Sequence, residues 1–192
     1  MIDLRHVAVR FPGKEVLADV SLQVGRGGLV CLFGPSGIGK STILDVVAGL
    51  RHPRHGSRTV DTQRIGYAFQ EPRLLPWRSV FQNVRIALSG WLSEAEASSQ
   101  ATAWLRRFGL GDAMDRLPAE LSGGMRRRAN LARAFAAAPE LLLLDEPFAF
   151  LDGQACSVLA DAIREQHRAG VTVLMVAHVM EQIGRASCRE RV

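Results

Sequence analysis

Five consecutive apolar residues, Leu29 to Phe33, run directly into Gly34-Pro35-Ser36-Gly37-Ile38-Gly39-Lys40-Ser41. That junction leaves few folds open. The apolar run has the length of a strand buried on both faces, as in a parallel sheet covered by helices. After the glycines, Ile43, Leu44, Val46, Val47 and Leu50 fall at helical spacing. The stretch is therefore a strand-to-helix turn, and it fits G-x-x-x-x-G-K-[ST]. Its glycines let successive backbone N–H groups curl around one anion. The helix that follows adds free N–H groups and the positive end of its dipole. Lys40 supplies a point charge for terminal phosphates, and Ser41 a hydroxyl ligand for Mg2+. Residues 34–42, ending at Thr42, form the expected polyphosphate cradle.

A second apolar run, 141–144, is all leucine and ends in Asp145-Glu146. A buried parallel strand delivers its last residues to the sheet edge at which the glycine-rich turn opens. Asp145 is expected in the Mg2+ shell and Glu146 as the general base that polarises an attacking water. A kinase or GTPase would carry the same turn, so these two features alone define only a P-loop nucleoside triphosphatase.

The rest of the pattern fills in an α/β chain. Residues 2–11 alternate in part (Ile2, Leu4, then Val7, Val9, Phe11) and predict an early strand; Pro12-Gly13-Lys14 is a turn, and 20–24 a second short strand. Residues 65–69 predict another strand. Residues 79–117 are mostly helical, with Trp91, Leu92, Trp104, Leu105, Phe108 and Leu110 as packing residues. A helix runs from Gly123-Gly124 to about Ala138, before Pro139. Leu151, Ala155, Val158, Leu159, Ala162, Ile163 and Gln166 share one helical stripe, and 171–177 is a third buried strand. Strands alternating with helices predict a mostly parallel α/β core, interrupted by a helical insertion.

With 192 residues, the chain suits one domain with its own core. No run approaches the roughly 18 apolar residues that cross a bilayer, and Met-Ile-Asp-Leu-Arg lacks the apolar stretch of a leader. Any membrane role is expected to come through a partner. Three cysteines without a CxxC pair suit a reducing compartment. The last ten residues, 183–192, lack periodicity and resemble a translated sequencing adapter. They read as a non-native tail, without which the net charge falls from +5 to +3.

Leu121-Ser122-Gly123-Gly124-Met125 precedes a helix, between the glycine-rich turn and the acidic strand. With these motifs in this order, residues 1–182 resemble the ABC ATPase family. The family's usual fifth residue is Gln, and Met125 leaves a contact from that position open. The resemblance implies a P-loop NTPase core with a mostly parallel sheet, an N-terminal antiparallel β subdomain and an inserted helical subdomain over about 79–125. It implies ATP and Mg2+ as ligands. Ser122, Gly123 and Gly124 would contact the γ-phosphate of ATP held by a second copy of the chain. Gln70, in Phe69-Gln70-Glu71-Pro72, resembles the Q-loop glutamine that reaches Mg2+ and water. Leu151-Asp152 resembles the D-loop, with Phe150 where a small residue is usual. His178 resembles the switch histidine at the γ-phosphate, and Phe11 the aromatic that stacks on adenine, a position that equally suits core packing. The implied catalytic set is Glu146, His178, Lys40 and Gln70; the implied metal set is Ser41, Gln70 and Asp145.

Chromosome-maintenance members of the family carry a long coiled coil between turn and signature. None is patterned here. Translation-factor members carry two ATPase domains, which leaves a transporter subunit. Residues 69–77 are similar to importer subunits for nitrate, sulfonate and taurine, with thiamine- or pyrimidine-precursor importers as the alternative. The implied partners are a second copy, a transmembrane permease and, indirectly, a periplasmic or lipoprotein solute-binding protein, at the cytoplasmic face of the bacterial inner membrane. Leu74, Leu75 and Trp77 are expected to line a groove for a short permease helix, or to pack the helical subdomain. Family members continue beyond the switch histidine. The chain is thus expected to be C-terminally truncated, with an unpaired edge on strand 171–177, and an inactive fragment is the other reading. Arg126-Arg127-Arg128 is read as a solvated face or phosphate-proximal charge, with no nucleic acid as partner.

Overall fold

The computed structural model describes residues 1–177. His178 and the expected tail at 183–192 lie outside the described residues. The early alternation forms β1 (Ile2–Phe11), which buries Ile2 and Leu4 and then Val7 and Val9. The change of parity is a bulge: the register with β2 (Lys14–Val24) shifts between Leu4 and Val7, and His6 takes φ 50°. One extra residue returns the apolar set to the same face. β2 is longer than the expected 20–24 because its polar first half is held by the antiparallel ladder to β1. β4 (His55–Val60) pairs with β1's other edge and was not foreseen from the sequence. Its residues are mostly exposed, so it has no apolar alternation to read.

The second sheet is parallel. It contains β3 (Leu29–Phe33), β5 (Ile65–Ala68), β6 (Leu141–Asp145) and β7 (Thr172–Ala177), in the order β3-β7-β6-β5. The expectation of an unpaired edge on strand 171–177 is corrected. β7 is paired along both sides, to β3 and β6, and every residue in it is buried. The chain order simply places this late strand in the middle of the sheet.

Alternate residues of the parallel strands feed two cores. Leu141, Leu143, Leu174 and Val176 pack with α1 (Lys40–Val47) and the antiparallel sheet. Leu142, Leu144, Val173 and Met175 pack against α4 (Gly123–Ala136) and α5 (Gly153–Arg168). α2 (Val80–Arg85) and α3 (Glu94–Arg107) complete that second core, each opened by a capping box, Ser79 with Gln82 and Ser93 with Glu96. Trp104, Phe108 and Phe135 meet there with ring centroids 5.1 to 6.0 Å apart. Trp91, expected to pack, is exposed instead. α5 begins two residues after Leu151, capped by Asp152, whose Oδ1 accepts the Ala155 N–H at 2.8 Å. No helix among the described residues is long and apolar enough to cross a membrane.

β5 carries a glycine for a packing reason. A Cβ on Gly66 would stand 2.2 Å from the Ala134 carbonyl oxygen of α4. Gly66→Ala is expected to cost about 2 kcal/mol, a fall in Tm of roughly 4–8 °C. Gly25→Ala, where the added Cβ meets nothing within 4 Å, should stay within about 0.5 kcal/mol. Thermal melts of the two variants check the contrast.

Candidate functional site

The glycine-rich turn leaves β3 and enters α1 through Gly39, which caps the helix at φ 102°. A Cβ there would meet Leu17 Cδ2 at 2.6 Å and the Val16 carbonyl oxygen at 3.1 Å, so only glycine fits. The cap sets the start of α1 against β2 and draws Lys40 inward. Lys40 is only 7 % exposed, and its ammonium donates to the carbonyl oxygens of Gly34 and Pro35, each at 2.7 Å. No carboxylate pairs with it among the described residues. Pro35, Ser36, Gly37 and Ile38 stay exposed. The loop is thus held open by its own lysine, with a cationic interior and no counter-charge.

β6 brings Asp145 and Glu146 to the same end of the sheet. Asp145 is 4 % exposed and takes a hydrogen bond from the Ser41 hydroxyl. Its Oδ1 has no hydrogen-bond partner among the described residues. Burial pushes the carboxyl above its ordinary range. The Ser41 bond works against that rise, the charges of Glu146 and Asp45 add to it, and Arg127 opposes it. Glu146 sits in the left-handed region at φ 49°, and its N–H donates to the Val176 carbonyl at 3.1 Å. A non-glycine residue held there stores backbone strain at the end of the strand. Its Oε1 accepts from Gln70 Nε2 at 3.0 Å.

Phe11, residues 39–42, Gln70 and Glu146 therefore line one cleft of about 300 Å³. Thr42 is buried beneath it. Phe11 stands at its end, with the Arg51 guanidinium 4.1 Å over the ring and the ring packed on the β1–β2 core. Ser122, Gly123 and Gly124 are not among the residues lining this cleft. They open α4, where Ser122 Oγ accepts the Met125 N–H at 3.2 Å. The Met125 side chain packs against the core. A Cβ on Gly123 or Gly124 would meet nothing within 4 Å, and neither has a positive φ. Phe150 is 90 % exposed at φ 59°.

The arginine triplet corrects its sequence reading at one position: Arg126 is exposed and Arg128 half-buried, but Arg127 is not solvated. Arg127 is 6 % exposed and donates to the carbonyl oxygens of Gln70, at 2.6 Å, and of Glu146. Burial lowers its pKa, against the pull of Glu146 and Asp145. Arg128 reaches the Phe108 carbonyl and Arg126 that of Leu121. Asn130 donates to Phe69 O at 2.8 Å, and Arg133 to Arg73 O at 2.6 Å. Polar residues at 127, 130 and 133 on an otherwise alanine-rich helix were the available signal, missed because a basic triplet looks solvated. Buried Asn83 was also missed. Its side chain bonds Leu75 N and the carbonyls of Leu75, Arg78 and Ser79, fixing the loop that carries Trp77.

A model of the ABC transporter family matches residues 17–149. The aliphatic sulfonates import ATP-binding protein of Burkholderia cenocepacia (strain HI2424) is 40 % identical over 193 residues, covering 95 % of this chain and 69 % of that protein. The taurine import ATP-binding protein of Yersinia pestis bv. Antiqua (strain Antiqua) is 37 % identical, covering 95 % and 75 %. A dimeric ATP-binding cassette, solved in a post-hydrolysis state with ADP and phosphate, matches with a TM-score of 0.87 at 28 % identity, over 95 % of this chain and 90 % of that one.

Asp145 should weigh against stability in the absence of ligand. A carboxyl whose folded pKa is raised binds more protons folded than unfolded, so its contribution to stability falls as pH rises from the ordinary carboxylate value through the raised one. Asp145→Asn is expected to stabilise the ligand-free chain at pH 7 by about 1 kcal/mol, roughly 3 °C in Tm. The gain should vanish below about pH 4. Melting curves across pH check both the gain and its loss.

Proposed function

This chain belongs to the ABC transporter family, and on that premise we propose that it hydrolyses MgATP as one half of a nucleotide sandwich that powers solute import. The observation that carries this reading is a complementary pair. The Lys40 ammonium, next to Ser41 in the chain, has no counter-charge among the described residues, and Asp145, which takes the Ser41 hydrogen bond, keeps a buried carboxylate oxygen with no partner among them. A polyphosphate answers the first and a divalent cation the second. The donor set fits Mg2+, which takes one or two carboxylate or hydroxyl oxygens and completes its shell with phosphate and water. No group of three His, Cys, Asp or Glu able to form a closed metal cage occurs among the described residues. Ser41 and Asp145, with Gln70, would hold the ion, which when bound neutralises charge on the β- and γ-phosphates.

The chain's own groups then divide the work. Residues 34–42 bind the phosphates through backbone N–H groups, Lys40 answers the terminal charge, and Phe11 offers its ring to the base. Gln70 holds the Glu146 carboxylate, which accepts a proton from the attacking water. The water oxygen bonds to the γ-phosphorus as the bond to the bridging oxygen breaks. ADP leaves, and the proton passes on to phosphate. His178 is assigned to the γ-phosphate from the sequence alone.

The second copy enters because Ser122 to Gly124 do not line their own cleft, and a Cβ on either glycine would meet nothing within 4 Å. Neither backbone conformation nor packing demands glycine at 123 or 124. Close approach of a ligand does. The second copy's γ-phosphate, docked on this helix start, would glue the dimer. Trp77, 71 % exposed on the Asn83-held loop, with Leu74 and Leu75, offers the permease its groove. The sulfonate and taurine importers among the similar proteins support that solute class over thiamine precursors. A solute-binding protein and attachment at the cytoplasmic face complete the assignment.

Glu146→Gln keeps a partner for Gln70 but cannot take a proton. Turnover is expected to fall about 10²- to 10⁴-fold. With MgATP the variant should double its mass by light scattering, and with MgADP it should not. Wild-type turnover, or a monomer at saturating MgATP, would contradict the assignment.

A further inference from the structure

We infer that Arg127 is a positioning residue for hydrolysis, a buried strut that sets the backbone of Glu146 and Gln70 against the helix that begins at Ser122. The inference rests on the roles proposed above for Glu146 and Gln70.

Glu146 and Gln70 stand on separate segments, one leaving β6 and the other leaving β5. Their side chains share a single hydrogen bond of 3.0 Å. One side-chain bond, with Gln70 exposed and Glu146 half-buried, does not fix the two backbones, and the water-activating carboxylate must be held within a fraction of an ångström to work. The backbone of both is held from behind. One guanidinium edge of Arg127 gives Nη1 to Gln70 O at 2.6 Å. Nη2 goes to Glu146 O and reaches towards Asp145 O at 3.4 Å. A planar fork with fixed donor directions suits two carbonyls on neighbouring strand ends. The Glu146 carbonyl it grips belongs to the residue at φ 49°, and that carbonyl also accepts the Ala149 N–H at 3.1 Å. A left-handed residue persists only where its surroundings over-determine it. Arg127 is one of those surroundings.

The strut has a second anchor. Asn130 and Arg133, one and two turns further along the same face of α4, bond Phe69 O and Arg73 O. Arg133 also donates to Asn130 Oδ1 at 3.0 Å. The segment 69–73 is therefore laced to α4 at three points, and Arg127 is the only one of the three that also reaches the β6 end. Ser122 and Arg127 lie on one helix about 7.5 Å apart along its axis. Burying a guanidinium is costly, and its Nε has no partner among the described residues. Holding the strand ends is a gain to set against that cost.

The test separates positioning from packing and from binding. Met matches Gln in length and bulk but has no donor, whereas the Gln amide carries two N–H groups for two carbonyls. For the whole chain, Arg127→Met is expected to lower kcat about tenfold or more while the Kd for MgATP stays within about twofold. Arg127→Gln should restore kcat to within about threefold of wild type. All rates are taken well below each variant's Tm. A Met variant with wild-type kcat overturns the inference, as does a Gln variant no faster than Met, or a parallel loss of kcat and affinity. Glu146→Gln run alongside distinguishes the underlying reading: if it turns over normally, the catalytic assignment itself falls, whatever Arg127 does.

Discussion

A lysine ammonium is held inside the protein by two carbonyl oxygens and, among the described residues, by nothing of opposite charge. Lys40 bonds Gly34 O and Pro35 O at 2.7 Å, and much else in the fold serves that arrangement. The bonds keep the loop curled, with Pro35 to Ile38 exposed, before any ligand arrives. The curl needs Gly39 at φ 102°, packed so tightly on Val16 and Leu17 that no side chain fits. It also needs β3 and α1 to be rigid, which the core beneath them secures. Preorganisation of this kind means that binding does not have to pay for ordering the loop.

The opposite wall is built on the same logic from different groups. β6 is buried throughout, so Asp145 at its end is desolvated and its carboxyl is pushed up. A carboxylate kept in that state is a poor structural residue and a good cation ligand. Between the two walls runs β7, which pairs with β3 and β6 and gives the Glu146 N–H its acceptor at Val176. α4 supplies the remaining order. A Cβ on either of its first two glycines would meet nothing within 4 Å, while Arg127, Asn130 and Arg133 grip the backbone between β5 and α2. One helix thus carries both the outward signature and the inward clamp.

The sheet was legible where burial is continuous. Runs such as 29–33 and 141–144 have no other outlet than a two-sided core. β4 was not legible, because His55 to Val60 owes its conformation to the ladder with β1 and carries no pattern of its own. The bulge at His6 was written in the switch from Leu4 to Val7, but a switch in parity gives no hint of its geometry. Strand position was misjudged for 171–177, since order within a sheet depends on where crossovers land. In the site, Lys40, Ser41, Asp145 and Glu146 were named from motif and spacing, and Phe11 and Gln70 from the family resemblance, and the fold gathers them. Ser122 to Gly124 stand apart from that cleft, in keeping with a role towards a second copy. Arg127 escaped notice because charge in a sequence reads as solvation, and only packing reveals a buried guanidinium.

The central claim is that the cradle recognises a polyphosphate through Lys40 and a cation through Asp145. Calorimetric titration of the chain with AMP, ADP and ATP, each with and without Mg2+, tests it most directly. The account predicts affinity rising from AMP to ATP by about 100-fold or more, the product of several charge-assisted bonds, with the ATP step dependent on Mg2+. Equal affinity for AMP and ATP, or indifference to Mg2+, would contradict it.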